Sequence, residues 1–200
     1  MTIPDPGWFE VEQSILDNAR RLVADALLLV EHGRHATAFA VAVIALEEVG
    51  KIVLRRWRTM DTPLTVRRRS LHLSKQCAVA SLLVAARLRP QLHDGDRSRA
   101  ALGRLVAASA ATFLVSAEGD WQLSAEAGLV DRKKQAALYQ DEGSVDAMRW
   151  NGFMAADALL LVGHCRAALD AVDDFPVMEL ARSVFEMGAK RRPTMARGSR

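Results

Sequence analysis

The chain has 200 residues, half of them hydrophobic, and 27 lysines and arginines against 24 aspartates and glutamates, for a formal charge of +3. That length supports one domain with a sizeable core. Few Pro and Gly residues and no sustained period-two alternation exclude a β-sheet protein and predict an all-α one.

The opening MTIPDPGWFEVEQ carries Pro and acids where a secretory signal needs a basic and then an apolar region. A first helix is expected over 9–30, with Leu16, Ala19, Leu22, Val23, Ala26, Leu27 and Val30 making an apolar face at three- and four-residue spacing. Glu31 to Arg34 breaks it at Gly33. A second helix is expected over 36–58, and its first eleven residues are apolar almost all round, so it belongs at the centre of the protein. Met60 to Pro63 is a turn. A third helix over 66–88 stops before Pro90, and 91–96 is a loop. A fourth over 98–118 contains the longest apolar stretch, thirteen residues over 105–117, too short to span a bilayer. Residues 119–139 are mixed, with a break at Gly128. A long helix over 144–172 has Ser144 as its N-cap, and a short one follows over 177–188. The expected architecture is an antiparallel bundle of four to five main helices with short capping helices, forming a single domain over 1–188. Residues 189–200 have the composition of a basic disordered tail.

Charge is uneven along this chain. Residues 51–75 carry +7 and residues 190–200 carry +5, leaving the remainder at −9. Positive charge is therefore localised, and Arg55, Arg56, Arg58, Arg67, Arg68 and Arg69 form a patch suited to phosphate contacts.

Three polar clusters interrupt the apolar pattern. In the first, Glu47-Glu48-Val49-Gly50-Lys51 follows the apolar run of the second helix directly. Carboxylates carried inward with such a run must be paired or protonated, and Lys51 is within helical reach of both Glu47 and Glu48. The second is His72-Leu73-Ser74-Lys75, whose His and Lys share a helix face. The third runs from Lys134 to Asp141 and holds the only tyrosine, Tyr139. Taken singly, each also reads as structure: an ion pair between helices, a solvated basic helix start, and a helix end with a packed Tyr.

Taken together, Glu-Glu-x-Gly-Lys, His-x-x-Lys and Lys-x-x-x-Leu-Tyr-x-Asp, in that order, resemble the AbiV family of abortive infection proteins. The similarity covers roughly 27–141, with a departure at Gln140, where the family has an apolar residue. The resemblance implies an all-helical fold related to the HEPN superfamily. It also implies an anti-phage function in which an infected cell stops its own growth through arrested protein synthesis. Many HEPN proteins are metal-independent ribonucleases with an Arg-x(4–6)-His motif, and Arg67 to His72 fits it. Arg would hold the scissile phosphate and His would move the proton of a 2′-hydroxyl or of the leaving oxygen.

The candidate catalytic set is thus Glu47, Glu48, Lys51, Arg67, His72 and Lys75. Arg55, Arg56, Arg58, Arg68 and Arg69 are candidates for RNA binding, and Lys134, Tyr139 and Asp141 complete the family motif. No metal and no cofactor is expected: His32 and His35 lack a third ligand, and there is no Gly-rich phosphate loop. His164 reads as a hydrogen-bonded helix histidine, and Cys77 and Cys165 as core thiols of a reducing compartment. The four tryptophans are too scattered for a base-stacking platform. The expected location is the cytoplasm, with no membrane contact. Expected partners are a second copy of the chain, RNA or a ribosome-associated target, and a phage-encoded protein activator. The other reading is a non-enzymatic helical-bundle interaction protein whose Glu/Lys/His cluster is structural.

Overall fold

The computed structural model describes residues 6–60, 71–91, 124–125, 128–138 and 155–190. Apart from a single 3₁₀ turn, the regular structure within them is α-helical: α1 (Pro6–Glu31), α2 (His35–Thr59), α3 (Leu71–Leu88), α4 (Leu129–Leu138), α5 (Ala155–Ala171) and α6 (Phe175–Lys190). The 3₁₀ turn, Arg89–Gln91, ends α3. The all-α expectation holds.

Pro6 opens α1, where its missing N–H costs nothing. Glu12, Leu16, Ala19, Val23 and Ala26 are its buried residues, a seam at alternating four- and three-residue spacing. Gly33, at φ 70°, provides the left-handed turn into α2. Trp8 and Glu12 near the start of α1 meet Arg55 and Arg56 near the end of α2, so the two helices run antiparallel.

α2 is the central element. It packs against α1, α3, α4 and α5, and its residues from Ala38 to Trp57 are buried on nearly every side. Small side chains at Ala38, Ala40, Ala42 and Ala45 let four neighbours approach one helix. Trp57 is fully buried against Phe185 of α6, and its Nε1 donates to the Met178 carbonyl oxygen at 3.0 Å. α3 runs between α2 and α6 and is buried from Ser74 to Ala85. Asp174 caps α6, accepting from the Val177 N–H at 3.3 Å, while its other oxygen holds Arg89 at 2.7 Å.

Several boundaries differ modestly from expectation. α1 includes three residues ahead of residue 9, from Pro6 on. α6 begins at Phe175 behind its Asp174 cap and runs to Lys190, two residues beyond the expected domain boundary. The break at Gly128 is present, with φ 72°. The expected start of the third helix at residue 66, the whole helix over 98–118, the segment 144–154 with the Ser144 cap, and the tail from 191 lie outside the described residues. No described helix is long and apolar enough to cross a membrane.

Candidate functional site

The apolar pattern of α2 carries Glu47 inward, as its sequence context requires, leaving it 4 % exposed. A carboxylate there needs donors, and three side chains from two other helices supply them. His72 of α3 lies with Nδ1 2.6 Å from Glu47 Oε2. Gln76, one turn further along α3, donates Nε2 to Oε1 at 2.8 Å. Lys134 of α4, itself only 3 % exposed, donates Nζ to the same Oε1 at 2.6 Å. Lys134 Nζ also lies 2.9 Å from Asp131 Oδ1, one turn earlier on α4, at ion-pair distance. A single buried carboxylate thus joins α2, α3 and α4.

Burial raises the Glu47 carboxyl pKa, but the hydrogen bonds from Lys134, His72 and Gln76 and the positive charge of Lys134 outweigh it. The net effect holds Glu47 below its ordinary value, and it is ionised at neutral pH. The same balance applies in reverse to Lys134: desolvation pulls it down, the bonds to Glu47 and Asp131 lift it further, and it stays charged. Facing an ionised carboxylate, His72 Nδ1 carries a proton, so that in the tautomer with a single ring proton Nε2 is the acceptor. The His72 side chain is 56 % exposed, so one edge of the ring is bound in the interior and the rest reaches solvent.

Ligand atoms of Glu47, His72 and Asp131 lie within 4.8 Å of one another, a spacing open to a cation. The Lys134 ammonium already bridges Glu47 and Asp131 there, as an internal counter-ion. A divalent ion would have to displace it.

Beside this node, Gly50 has a steric role. A Cβ at this position would lie 2.4 Å from the Lys75 carbonyl oxygen. Only glycine lets the α2 backbone approach α3 this closely. The close approach fixes the Lys75 backbone, and the Lys75 side chain is buried with it. Glu48 and Lys51 turn to another face of α2: Lys51 Nζ donates to Glu48 Oε1 at 2.5 Å, and of the two acids within helical reach Lys51 binds only this one.

The basic end of α2 divides three ways. Arg55 stacks its guanidinium 3.7 Å over the Trp8 ring. Arg56 donates to Glu12 Oε2 at 3.1 and 3.2 Å and to the Val172 carbonyl oxygen at 2.7 Å, and pairs with Asp173 at 2.9 Å. Arg58 is exposed. Arg67, Arg68, Arg69, Tyr139 and Asp141 lie outside the described residues. Cys77 and Cys165 are buried free thiols, and burial pushes Cys165 up to about 12. His164 is buried on α5.

Of the residues expected to act together, the structure joins Glu47 and His72 and sets Glu48 and Lys51 apart as a pair; Lys134, expected only as part of the family motif, completes the node. Two participants carried no signal in sequence. Gln76 lies four residues after His72 and so shares its face, and Asp131 lies three before Lys134; neither belongs to the three polar clusters. The family model described as AbiV (HEPN_AbiV) matches residues 9–148. No curated protein and no solved structure matches the chain.

Proposed function

The chain belongs to the AbiV family, which implies an abortive-infection, HEPN-like role, and from that premise we propose that it halts the growth of phage-infected cells by acting on RNA or on the translation machinery. The observation that carries the RNA side is the Glu47–His72 pair. A buried ionised carboxylate holds Nδ1, and Nε2, on a side chain 56 % exposed, is the proposed base. In such a site Nε2 takes the proton of a ribose 2′-hydroxyl, whose oxygen attacks the adjacent phosphorus. The P–O5′ bond breaks, the 5′-oxygen leaves with a proton taken from water, and His72 returns its own proton to water. The products are a 2′,3′-cyclic phosphate and a 5′-hydroxyl. Glu47 is a positioning residue here, and Lys134 keeps it ionised. Arg67 is the proposed holder of the scissile phosphate, and Arg58, Arg68 and Arg69 belong to the proposed RNA-binding surface. On this reading the protein acts in the cytoplasm as a homodimer and responds to a phage-encoded activator.

The test is incubation of purified protein with total RNA and with tRNA, in EDTA, with and without phage lysate. Cleavage that disappears in His72→Ala, with a cyclic phosphate at the new 3′ end, supports the nuclease. Intact RNA under every condition sinks it. Sedimentation at micromolar concentration tests the homodimer, and a mass near 22 kDa throughout would remove it.

A second reading is favoured by the near-complete burial of Glu47 and Lys134. There the node is a scaffold, and the protein acts by binding a partner. In that case substitutions at Glu47 lower growth arrest only as far as they lower the amount of folded protein.

A further inference from the structure

Two adjacent arginines of α2 use their donors differently. Arg56 gives its donors to Glu12, Asp173 and the Val172 carbonyl oxygen. Arg55 is half-buried, and its guanidinium carbon sits 3.7 Å over the Trp8 ring. Among the described residues, that ring is the one polar or aromatic partner of the Arg55 side chain. Glu10, two residues beyond Trp8, is exposed and takes no donor from it. None of the Arg55 nitrogens is a buried atom without a partner, so the donors withheld from the protein reach water.

A guanidinium is planar, and its N–H groups form a fork in that plane. A ring against one face holds the plane and leaves the fork open. A lysine offers no such fork. From Val49 to Met60 the chain holds Lys51, Arg55, Arg56 and Arg58 and no acid. Lys51 is paired within its own helix and Arg56 is held by Glu12 and Asp173, which leaves Arg55 and Arg58. Arg58 is exposed and lies three residues on from Arg55, within helical reach of it. It is eleven residues on from Glu47, which returns it to within about 20° of the same side of α2, roughly 16 Å along the axis. Aromatic surface lies alongside: Phe9, next to Trp8, is 72 % exposed. Cationic groups beside an exposed ring suit a single nucleic-acid strand, in which phosphates and bases alternate. An acidic peptide would use the two arginines and leave the ring idle.

We propose that Arg55, held by Trp8, and Arg58 form a phosphate clamp for an RNA strand outside the His72 site, with Phe9 stacking on a base. Trp8 is a positioning residue, since it acts through Arg55. The proposal rests on the reading of the protein as one that acts on RNA, and it adds a binding subsite with no part in proton transfer.

The experiment uses the full chain and a fluorescein-labelled 2′-O-methyl oligoribonucleotide, whose blocked 2′-oxygen prevents cleavage, so that binding is read alone. Arg55→Gln is expected to weaken binding about tenfold at low salt. It should also reduce the slope of log affinity against log salt by about 0.7, the share of one phosphate contact. Arg55→Lys keeps the charge and the slope and recovers only part of the affinity. Trp8→Leu weakens binding several-fold with the slope unchanged, and Trp8→Phe restores it. Phe9→Ser weakens binding several-fold, again without a change of slope. Arg56→Met removes the same charge one residue away and leaves affinity per folded molecule in place. Thermal melts of each variant set the folded fraction. Native affinity in Arg55→Gln overturns the proposal, and so do equal losses in Arg55→Gln and Arg56→Met, which would mean that charge alone matters. Growth arrest lost in Arg55→Gln with strand binding unchanged also overturns it and assigns this face to a protein partner. The expected binding pattern in a protein that cleaves no RNA keeps the clamp and sinks only the nuclease. If Arg55→Gln fails to fold, Arg55→Lys and Arg58→Gln carry the comparison, and native affinity in both overturns the proposal.

Discussion

α2 enters two ion clusters that look alike on paper and differ in what they leave over. Near its end, Arg56 ties Glu12 of α1 to Asp173 and the Val172 carbonyl at the α5–α6 corner. In its middle, Glu47 ties His72 and Gln76 of α3 to Lys134 of α4. Both join segments distant in sequence through one buried or half-buried group. At the Arg56 clasp the cation spends its donors on the protein, and no proton can move near neutral pH. Each cluster leaves one buried acceptor without a partner among the described residues, Glu12 Oε1 at the clasp and Gln76 Oε1 at the node, but at the node the histidine has one ring nitrogen on Glu47 and a side chain that is 56 % exposed. The lesson is that a buried charge alone does not mark a site. A site is marked by a charge whose partners retain unused chemistry.

The comparison breaks first at Glu47. Glu47→Ala leaves the buried Lys134 ammonium with Asp131 alone and removes the anchor of His72, an expected loss of about 3–5 kcal/mol, hence a Tm lower by roughly 10 °C or more for a chain of this size. The double variant Glu47→Leu with Lys134→Met removes both charges and should recover most of that stability. If growth arrest returns with the fold, the node is a scaffold like the Arg56 clasp; if the fold returns and arrest does not, the node acts. The two charges also give the node a pH signature. Glu47 is lowered in the folded state, so its contribution is complete above the ordinary carboxyl value of 4.5 and is lost as pH falls through the lowered one. Lys134 is raised, so its contribution is complete below 10.5 and is lost as pH rises through the raised one. Denaturant midpoints of the native chain should therefore decline at both extremes, and the double variant should show a flatter curve.

Gly50→Ala ranks second. The added Cβ meets backbone, not the end of a flexible side chain, so α2 and α3 must separate, at an expected cost of about 1–3 kcal/mol. Because His72 rides on α3, RNA cleavage should weaken beyond what the loss of folded protein explains. A melt unchanged within error would refute the close approach.

The fold was more legible in the sequence than the site. The all-round apolar character of 36–46 placed α2 at the centre, because a helix without a polar face has nowhere else to go. Gly33, Gly128 and Pro90 marked ends correctly, since backbone constraints act locally. The pairing of Glu47 was harder to see. Helical spacing offers Lys51 as its partner, yet Lys51 takes Glu48, while Glu47 turns inward and finds Lys134, 87 residues away. Spacing ranks neighbours on one helix, but it says nothing about which helix arrives opposite. Lys134 was legible only as part of a family motif. Gln76 and Asp131 carried no signal, because each matters only after α3 and α4 are packed. Arg56 looked like part of an RNA-facing patch from composition, and its clasp depends on Glu12, at a position that the apolar seam of α1 buries.

Arg56→Met tests the other side of the comparison. It leaves Glu12 buried with its partner gone, an expected loss of about 1–3 kcal/mol. If the clasp is purely structural, oligonucleotide affinity per folded molecule should not change. A clear drop in affinity at an unchanged melt would return Arg56 to the RNA-facing surface.

The smallest effect is expected at Lys51. Its side chain is 40 % exposed, and its pair with Glu48 spans a single helical turn. Such pairs contribute about 0–1 kcal/mol, because water screens the charges and fixing two long side chains costs entropy. Lys51→Ala should therefore shift Tm by no more than a few degrees, and that shift should shrink in high salt. With stability nearly removed as a variable, growth arrest in this variant becomes informative. Arrest at the native level places Lys51 with the Arg56 clasp, as a group whose chemistry is spent on its own helix. Arrest lost in a protein that melts normally places Lys51 with His72, and extends the working surface from α3 across to the exposed side of α2.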